Sequence, residues 1–386
     1  MKIAVNTRFL LKDKLEGIGL YTLEVVKRLA AAHPEDEFIF FFDRPFDPSF
    51  VFSHNITPIV LSPPARHPLL FMVWFEWSVA RALKKYQADV FLSFDNFLSL
   101  STSIPTVLVV HDIAFTHFSE NDKWVNRQYY KFFTPRFLKR ANAILAVSAF
   151  TKQDILSKFS FVEKNKIKVA YNGCRDIFQP LDFIQKEEKN TQNMEYSDTP
   201  NPFGTEGPPF FLFVGAVHPR KNVHTLIQAF DLFKKRTKSN VQLVLCGRFA
   251  WQTGAVKSTY DAATFKQDII FKGYVDDKEV VKLTASALAI TYVSLFEGFG
   301  VPLLEAMNSD TPIITSNVSS MPEVVGDAAL LVNPESVEDI ANAMQRVFEN
   351  QDLREKLIAQ GRIQRLKFDW DKTANIIYSE LKNICK

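Results

Sequence analysis

Runs that are apolar at nearly every position alternate along this chain with stretches whose apolar residues recur every three or four positions. The first kind comprises KIAVN (2–6), EFIFFF (37–42), ITPIV (56–60), DVFLS (89–93), TVLVV (106–110), NAILAV (142–147) and KIKVA (166–170). Strands covered on both faces in a parallel sheet read this way. Helical periodicity lies between them, over 18–32, 69–86, 123–140 and 149–158. The alternation predicts a doubly wound α/β sheet. It stops at residues 185–209, QKEEKNTQNMEYSDTPNPFGTEGPP, which are polar and rich in Pro, Gly and Asn. That composition predicts a linker or mobile loop. Strand patterns then resume at FFLFVGA (210–216), VQLVLCG (241–247), DIIFKG (268–273), ALAITYV (287–293), PIIT (312–315) and ALLV (329–332). The expected organisation is a first domain over 1–184, a linker over 185–209 and a second α/β domain over 210–370. Ile376, Ile377, Leu381 and Ile384 form a last apolar stripe, predicting a helix over about 371–386 that packs back on the first domain.

Composition narrows the classes. A chain of 386 residues exceeds one ordinary core, which agrees with two domains. The balance of 47% hydrophobic and 23% charged residues is that of a globular protein, and a net charge of +3 argues against a general nucleic-acid binder. Cys174, Cys246 and Cys385 lie far apart and make no metal-spaced pair, which suits a reducing compartment. MKIAVNTRFLLKDK reads as a strand and a charged loop, without the apolar core of a signal peptide. The apolar run from Leu69 to Phe75 is too short to span a bilayer. The expectation is a cytoplasmic protein.

Ligands of open α/β sheets bind beyond the carboxyl ends of the strands, and two stretches in the second half place chemistry there. In FVGAVHPRKNVHTLIQAF (213–230), a strand and the small residues Gly215 and Ala216 lead to Arg220 and Lys221, with Asn222 as the expected N-cap of a helix. Cations at a helix start fit a bound phosphate, since free amides and the helix dipole already favour an anion. A solvated basic pair is the plainer alternative. In SLFEGFGVPLLEAM (294–307), Glu297 ends a buried strand, Gly298, Phe299 and Gly300 make a turn, Pro302 suits a first helical turn, and Glu305 follows inside the helix. Carboxylates accept pairs of hydrogen bonds from vicinal diols. Glutamate near a helix start is also favoured by the dipole without any ligand. In the first half, His111 and Asp112 follow the TVLVV strand. That histidine faces a cleft or is a hydrogen-bonded core residue. Asp95 and Asn96 follow DVFLS and read as a simple turn or as acceptor-facing groups.

Together these motifs resemble the retaining glycosyltransferases of family four, the group 1 and mannosyltransferase-like enzymes. EGFGVPLLE, with Glu297 and Glu305 at its ends, is similar to their signature. GAVHPRKN resembles the donor-phosphate loop, FKGYVDDKEVVKL (271–283) the base-contacting turn, and EGIGLYTLEVVKRLA (16–30) the glycine-rich loop and first helix. AVSAFTKQDI (146–155), VAYNGCRDIF (169–178) and VVHDIAF (109–115) resemble later segments of the first domain, in the same order. The resemblance implies a GT-B fold, in which two Rossmann-like parallel-sheet domains face a central cleft. It implies that Arg220 and Lys221 grip the donor diphosphate, Glu297 the transferred sugar and Glu305 the ribose. Tyr274 and Val275 would touch the base, Gly17 and Gly19 close over the phosphates, and His111 lie near the reacting sugar. Gly215, Gly298, Phe299 and Gly300 complete the expected donor site.

The reaction so implied moves a hexose, with mannose favoured, from a GDP- or UDP-linked sugar to a glycan or lipid-linked saccharide. Arg220 and Lys221 supply the charge that a divalent ion supplies elsewhere, so neither metal nor cofactor is expected. On the acceptor side, RHPLLFMVWFEWSVARALKK (66–85) and KWVNRQYYKFFTPRFLKR (123–140) interleave aromatics with cations. They read as buried helix faces with basic edges, or as peripheral contacts with an anionic membrane. A GT-B nucleotide-sugar epimerase, a phosphorylase and a catalytically silent sugar-nucleotide-binding protein are the competing functions. A phosphorylase would need a pyridoxal-phosphate lysine site that is not identifiable. The intact Arg220, Lys221, Glu297 and Glu305 argue for transfer.

Overall fold

The computed structural model describes residues 1–12, 15–65, 67–118, 124–192, 207–249 and 254–385. The chain divides into two compact units, one formed by Met1–Gly173 with Phe368–Lys386 and the other by Cys174–Lys367.

In the first unit the described residues build a seven-stranded parallel sheet from β1 (Lys2–Asn6), β2 (Glu37–Phe42), β3 (Ile56–Val60), β4 (Val90–Ser93), β5 (Thr106–Val110), β6 (Ala143–Ala146) and β7 (Ile167–Val169). The order is β3-β2-β1-β4-β5-β6-β7, so the winding reverses between β1 and β4, where Ile3 pairs with Phe38 on one side and Val90 on the other. Helices cover both faces. Ile3, Val5, Phe38, Phe40, Phe41 and Phe91 are therefore wholly buried, which accounts for the unbroken apolar strand pattern.

The helix Trp370–Ile384 belongs to this unit and packs on the helix Ile18–Ala32. Trp370 meets the Tyr21 ring edge-on at 5.3 Å, and a methyl added at Gly173 would lie 2.6 Å from the indole. Tyr21 donates to the Ala170 carbonyl at 2.9 Å, Thr373 to that of Tyr171 at 2.6 Å, and Tyr378 to Asp36 at 2.7 Å.

The second unit holds a six-stranded parallel sheet of β8 (Phe210–Val214), β9 (Gln242–Cys246), β10 (Ile269–Gly273), β11 (Ala289–Tyr292), β12 (Ile313–Ser316) and β13 (Leu330–Val332). Its order is β10-β9-β8-β11-β12-β13, with the reversal between β8 and β11. Observed strands fall within one or two residues of the sequence patterns.

Two boundaries differ from expectation. The first unit's opening segment ends at Gly173 rather than 184, because Arg175 ion-pairs with Asp277 and Glu305 and so ties the following chain into the second unit. The expected linker begins as structure: residues 185–192 finish the helix Leu181–Gln192, which packs on the helix Asp277–Ser286. Residues 193–206 of that linker lie outside the described residues, as do Arg66 and Lys123 of the two aromatic segments.

Replacing Trp370 by Ala removes a large side chain that is only 4% exposed and is expected to cost about 3–5 kcal/mol. Hydrogen exchange should locate the loss of protection in the Met1–Gly173 strands, leaving those of the second unit unchanged.

Candidate active site

In the second unit, Gly215, Arg220, Lys221 and Glu297 collect where the sheet winding reverses. The chain leaves β8 through Gly215, whose φ of +149° suits glycine and whose amide donates to the Cys246 carbonyl at 2.9 Å. Pro219–Lys221 forms a single tight turn, held by a 3.3 Å hydrogen bond from the Arg220 amide to His218 Nδ1. Burial and the neighbouring Arg220 and Lys221 lower the His218 pKa. The turn delivers both cations to the carboxyl end of the adjacent strand β11. Lys221 Nζ lies 2.6 Å from Glu297 Oε1 and 2.5 Å from the Tyr292 hydroxyl, while Arg220 Nη1 donates to Glu297 Oε2 at 3.2 Å and to the Phe296 carbonyl at 2.7 Å.

Glu297 is 6% exposed. Burial alone would raise its pKa, but the charges of Lys221 and Arg220 overcome that and hold it at about 2. Around it, Ser319 Oγ accepts from the Glu297 amide at 3.1 Å, and Ser320 Oγ lies 2.9 Å from both the Glu297 and Phe299 carbonyl oxygens. Gly300 then takes φ +97° and starts the helix Val301–Asn308, so Gly298, Phe299 and Gly300 form the turn between the first carboxylate and the second.

Asn222 departs from its expected role. It adopts a left-handed conformation and makes no side-chain cap. Its amide group instead donates to the Val293 carbonyl at 3.1 Å and that of Pro334 at 2.7 Å. The residue thus stitches the cation turn to the end of β11 and to the chain beyond β13.

Glu305 sits apart from the Glu297 cluster in its contacts. Its Oε1 accepts from Arg175 Nη2 at 3.4 Å, and burial pushes its pKa up to about 6 against the opposing pull of Arg175. Tyr274 is 65% exposed, and Val275 is partly buried. Both lie in the turn before Asp276, which caps the helix Asp277–Ser286 by accepting from the Glu279 amide at 2.8 Å.

In the first unit, His111 follows β5. Its Nε2–H donates to the Phe94 carbonyl at 2.8 Å, its amide donates to Asn96 Oδ1 at 2.8 Å, and its ring meets Tyr21 edge-on at 5.2 Å. Burial lowers its pKa, so the ring is neutral, with the proton on Nε2. Gly17, at φ +43°, starts the helix that carries Tyr21, and Gly19 packs against the Phe9 carbonyl.

Sequence reasoning missed several partners. Asp95 is no plain turn residue, for it is buried in an ion pair with Arg8, whose guanidinium sits 4.8 Å from the Phe97 ring centroid and 4.9 Å from that of Phe71. Asn96 holds the His111 backbone, and Tyr292 and Arg175 pair with the predicted site residues. Among the described residues, His33, Glu35 and Asp36 could gather around an ion. However, His33 stacks on Tyr378 at 3.4 Å, and Asp36 already accepts from the Met1 ammonium at 2.5 Å and from Tyr378.

Two doubly wound parallel-sheet units in one chain place the protein in the GT-B class of α/β folds. Residues 15–176 match the family described as Glycosyltransferase Family 4, and residues 198–364 match Glycosyl transferases group 1. The chain is 30% identical over 387 residues to the O-antigen chain mannosyltransferase B of Escherichia coli, covering 96% of this chain and 97% of that one. It is 30% identical over 283 residues to the O-antigen chain mannosyltransferase RfbU of Salmonella typhimurium, covering 72% and 70%. HepE of Anabaena, solved in complex with UDP and glucose, shares the fold at a TM-score of 0.73 and 16% identity over 99% of each chain. The chain belongs to the group 1, family-four glycosyltransferases, and it is an enzyme that transfers a glycosyl group.

The depressed pKa of Glu297 stabilises the folded state fully above its ordinary value of 4.5, and that contribution disappears as pH falls from there toward 2. Its size is on the order of 3 kcal/mol. Lys221→Met should flatten this part of the stability profile, read as the urea midpoint between pH 2.5 and 5.

Proposed function

We propose that this enzyme moves a hexose, mannose in particular, from a nucleoside diphosphate sugar to a growing polysaccharide or glycolipid, with retention at the anomeric carbon. The observation that carries the reading is the convergence of Arg220 and Lys221 on Glu297 at the winding reversal of the second sheet. Similarity to O-antigen mannosyltransferases over most of the chain supports the sugar and the polymer.

In this reaction the bond from the anomeric carbon to the phosphate oxygen breaks, and its electron pair leaves with the diphosphate. The acceptor oxygen bonds the same carbon from the same face, and its proton passes to the departing diphosphate. Negative charge grows on that leaving group, so fixed cations stabilise the transition state more than the ground state. Arg220 and Lys221 are those cations. Lys221 is held by Tyr292 as well as Glu297, which fixes its ammonium before the donor arrives. Glu297, kept ionised, accepts hydrogen bonds from hydroxyls of the transferred sugar, with the Gly298–Gly300 turn beside it. Glu305 accepts from the ribose, the Tyr274–Val275 turn meets the base, and Gly215 lets the backbone approach the phosphates. The family resemblance assigns Gly17 and Gly19 to the donor phosphates and His111 to the reacting sugar. The cations replace a divalent ion, and no cofactor takes part.

The acceptor reading rests on the first unit's helical stretches 68–85 and 124–140. Trp74, Phe75, Val79, Phe137 and Leu138 are buried, so part of each stretch is core. Leu69, Trp77, Trp124 and Phe132 are more than half exposed, and Arg81 and Arg136 lie over the Trp77 and Phe132 rings at 4.3 and 3.5 Å. Exposed rings beside cations suit the interface of an anionic membrane, where a lipid-linked acceptor would be met. No helix among the described residues is long and apolar enough to cross a membrane.

Glu297→Ala and Lys221→Ala should each lower transfer from GDP-mannose by about 10²–10³-fold, with circular dichroism unchanged and wild-type turnover retained in EDTA. Wild-type turnover in both variants would overturn the assignment. On vesicles containing phosphatidylglycerol, the protein should co-sediment at low salt and release at high salt, with Trp77→Ala/Trp124→Ala binding less; no binding at low salt removes the membrane reading.

A further inference from the structure

Arg175 lies in the VAYNGCRDIF segment without a role assigned from sequence, yet it joins two parts of the proposed nucleoside site. Its Nη1 pairs at 2.8 Å with Asp277, the first residue of the helix that follows the Tyr274–Val275 turn, and its Nη2 reaches Glu305 at 3.4 Å. The guanidinium rests 5.0 Å from the Phe178 ring centroid, and its Nε is buried with no hydrogen-bond partner among the described residues. Asp277 is largely exposed, so that pair alone contributes little to stability. The geometry has more bearing on Glu305, which is 7% exposed.

The charges around Glu305 are few. Arg175 opposes the burial that favours its protonated form, Asp277 reinforces that form, and the neighbouring Cys174 thiol is kept neutral by its own burial. On other elements packed against Val301–Asn308, Arg362 pairs with Asp310, Arg365 donates to the Met307 and Asn308 carbonyls at the far end of that helix, and Glu323 lies on the helix Met321–Val325. Removing Arg175 therefore removes the cation that, among the described residues, acts on this carboxylate. A carboxylate accepts through both oxygens from a vicinal diol, whereas a protonated carboxyl gives up part of that capacity to its own O–H.

We propose that Arg175 is a positioning residue for the nucleoside, holding Glu305 ionised and aimed so that ribose binding is coupled to proton binding at Glu305. The proposal rests on the reading of Glu305 as the ribose carboxylate.

Calorimetric titration of the full-length protein with GDP and with UDP, from pH 5.5 to 8.5, tests it in wild type, Arg175→Met, Arg175→Lys and Glu305→Gln. Protonation of the nucleotide phosphates is common to all four and cancels in ratios of Kd. Wild-type affinity should fall by up to about tenfold per pH unit once Glu305 protonates. In Arg175→Met the onset should move up by about one pH unit, weakening binding about eightfold at pH 5.5 and about threefold at pH 6.5 while leaving it about equal to wild type at pH 8.5. Arg175→Lys should restore most of the wild-type profile. A loss in Arg175→Met that is equal at every pH, or no shift at all, overturns the proposal. If Glu305→Gln is weak and flat with pH while Arg175→Met keeps the wild-type profile, the role of Arg175 alone fails. If Glu305→Gln binds as wild type does, the ribose reading fails with it.

Discussion

Burying a carboxylate is costly unless opposite charges and hydrogen bonds meet it, and the second unit is organised around meeting that need at Glu297. The strand that precedes it, β11, is wholly buried and Glu297 itself is only 6% exposed, so the side chain has little water to turn to. Its neighbours come from the adjacent strand's loop, which requires β8 and β11 to lie side by side. The winding reversal provides this adjacency and leaves room beyond the strand ends for a crevice. The same contacts that make the fold tolerate the carboxylate also set two cations in place before any substrate arrives. Preorganised charge of this kind stabilises a leaving group without reorganisation during the reaction.

The two glutamates that bracket the glycine turn are both buried, yet their environments drive them in opposite directions. Glu297, with two cations, is ionised throughout the ordinary pH range, while Glu305, with one longer contact to Arg175, has its pKa pushed up to about 6. On the proposed reading, the carboxylate against the reacting sugar stays charged, and the one on the ribose changes its hydrogen-bonding capacity when it takes a proton. The difference arises from the number and distance of neighbouring guanidinium and ammonium groups, since burial acts on both alike.

Much of this was legible in the chain. Strands covered on both faces cannot alternate, so their apolar runs stand out, and residues just after them, such as Lys221 and Glu297, stand out as candidates that the fold brings into contact. Partnerships across long sequence separations were not legible. Arg8 meets Asp95 across 87 residues, Lys221 meets Tyr292 across 71, and Arg175 meets Glu305 across 130. No local pattern encodes such pairs, because strand order decides them. Asn222 misled for a related reason: Asn is favoured both as a helix cap and in the left-handed conformation, and carbonyls distant in sequence selected the second. The polar run from 185 reads as linker because its composition hides the end of a helix that starts earlier, at Leu181.

The return of Trp370–Ile384 to the first unit has a consequence for how the protein is made. Strands β1 to β7 leave the ribosome early, but the indole that fills the space between Gly173 and Tyr21 is synthesised almost two hundred residues later. The amino-terminal body must therefore wait, with an apolar seam open, while the other body is completed. A ribosome that stalls before Trp370 leaves this seam unsealed.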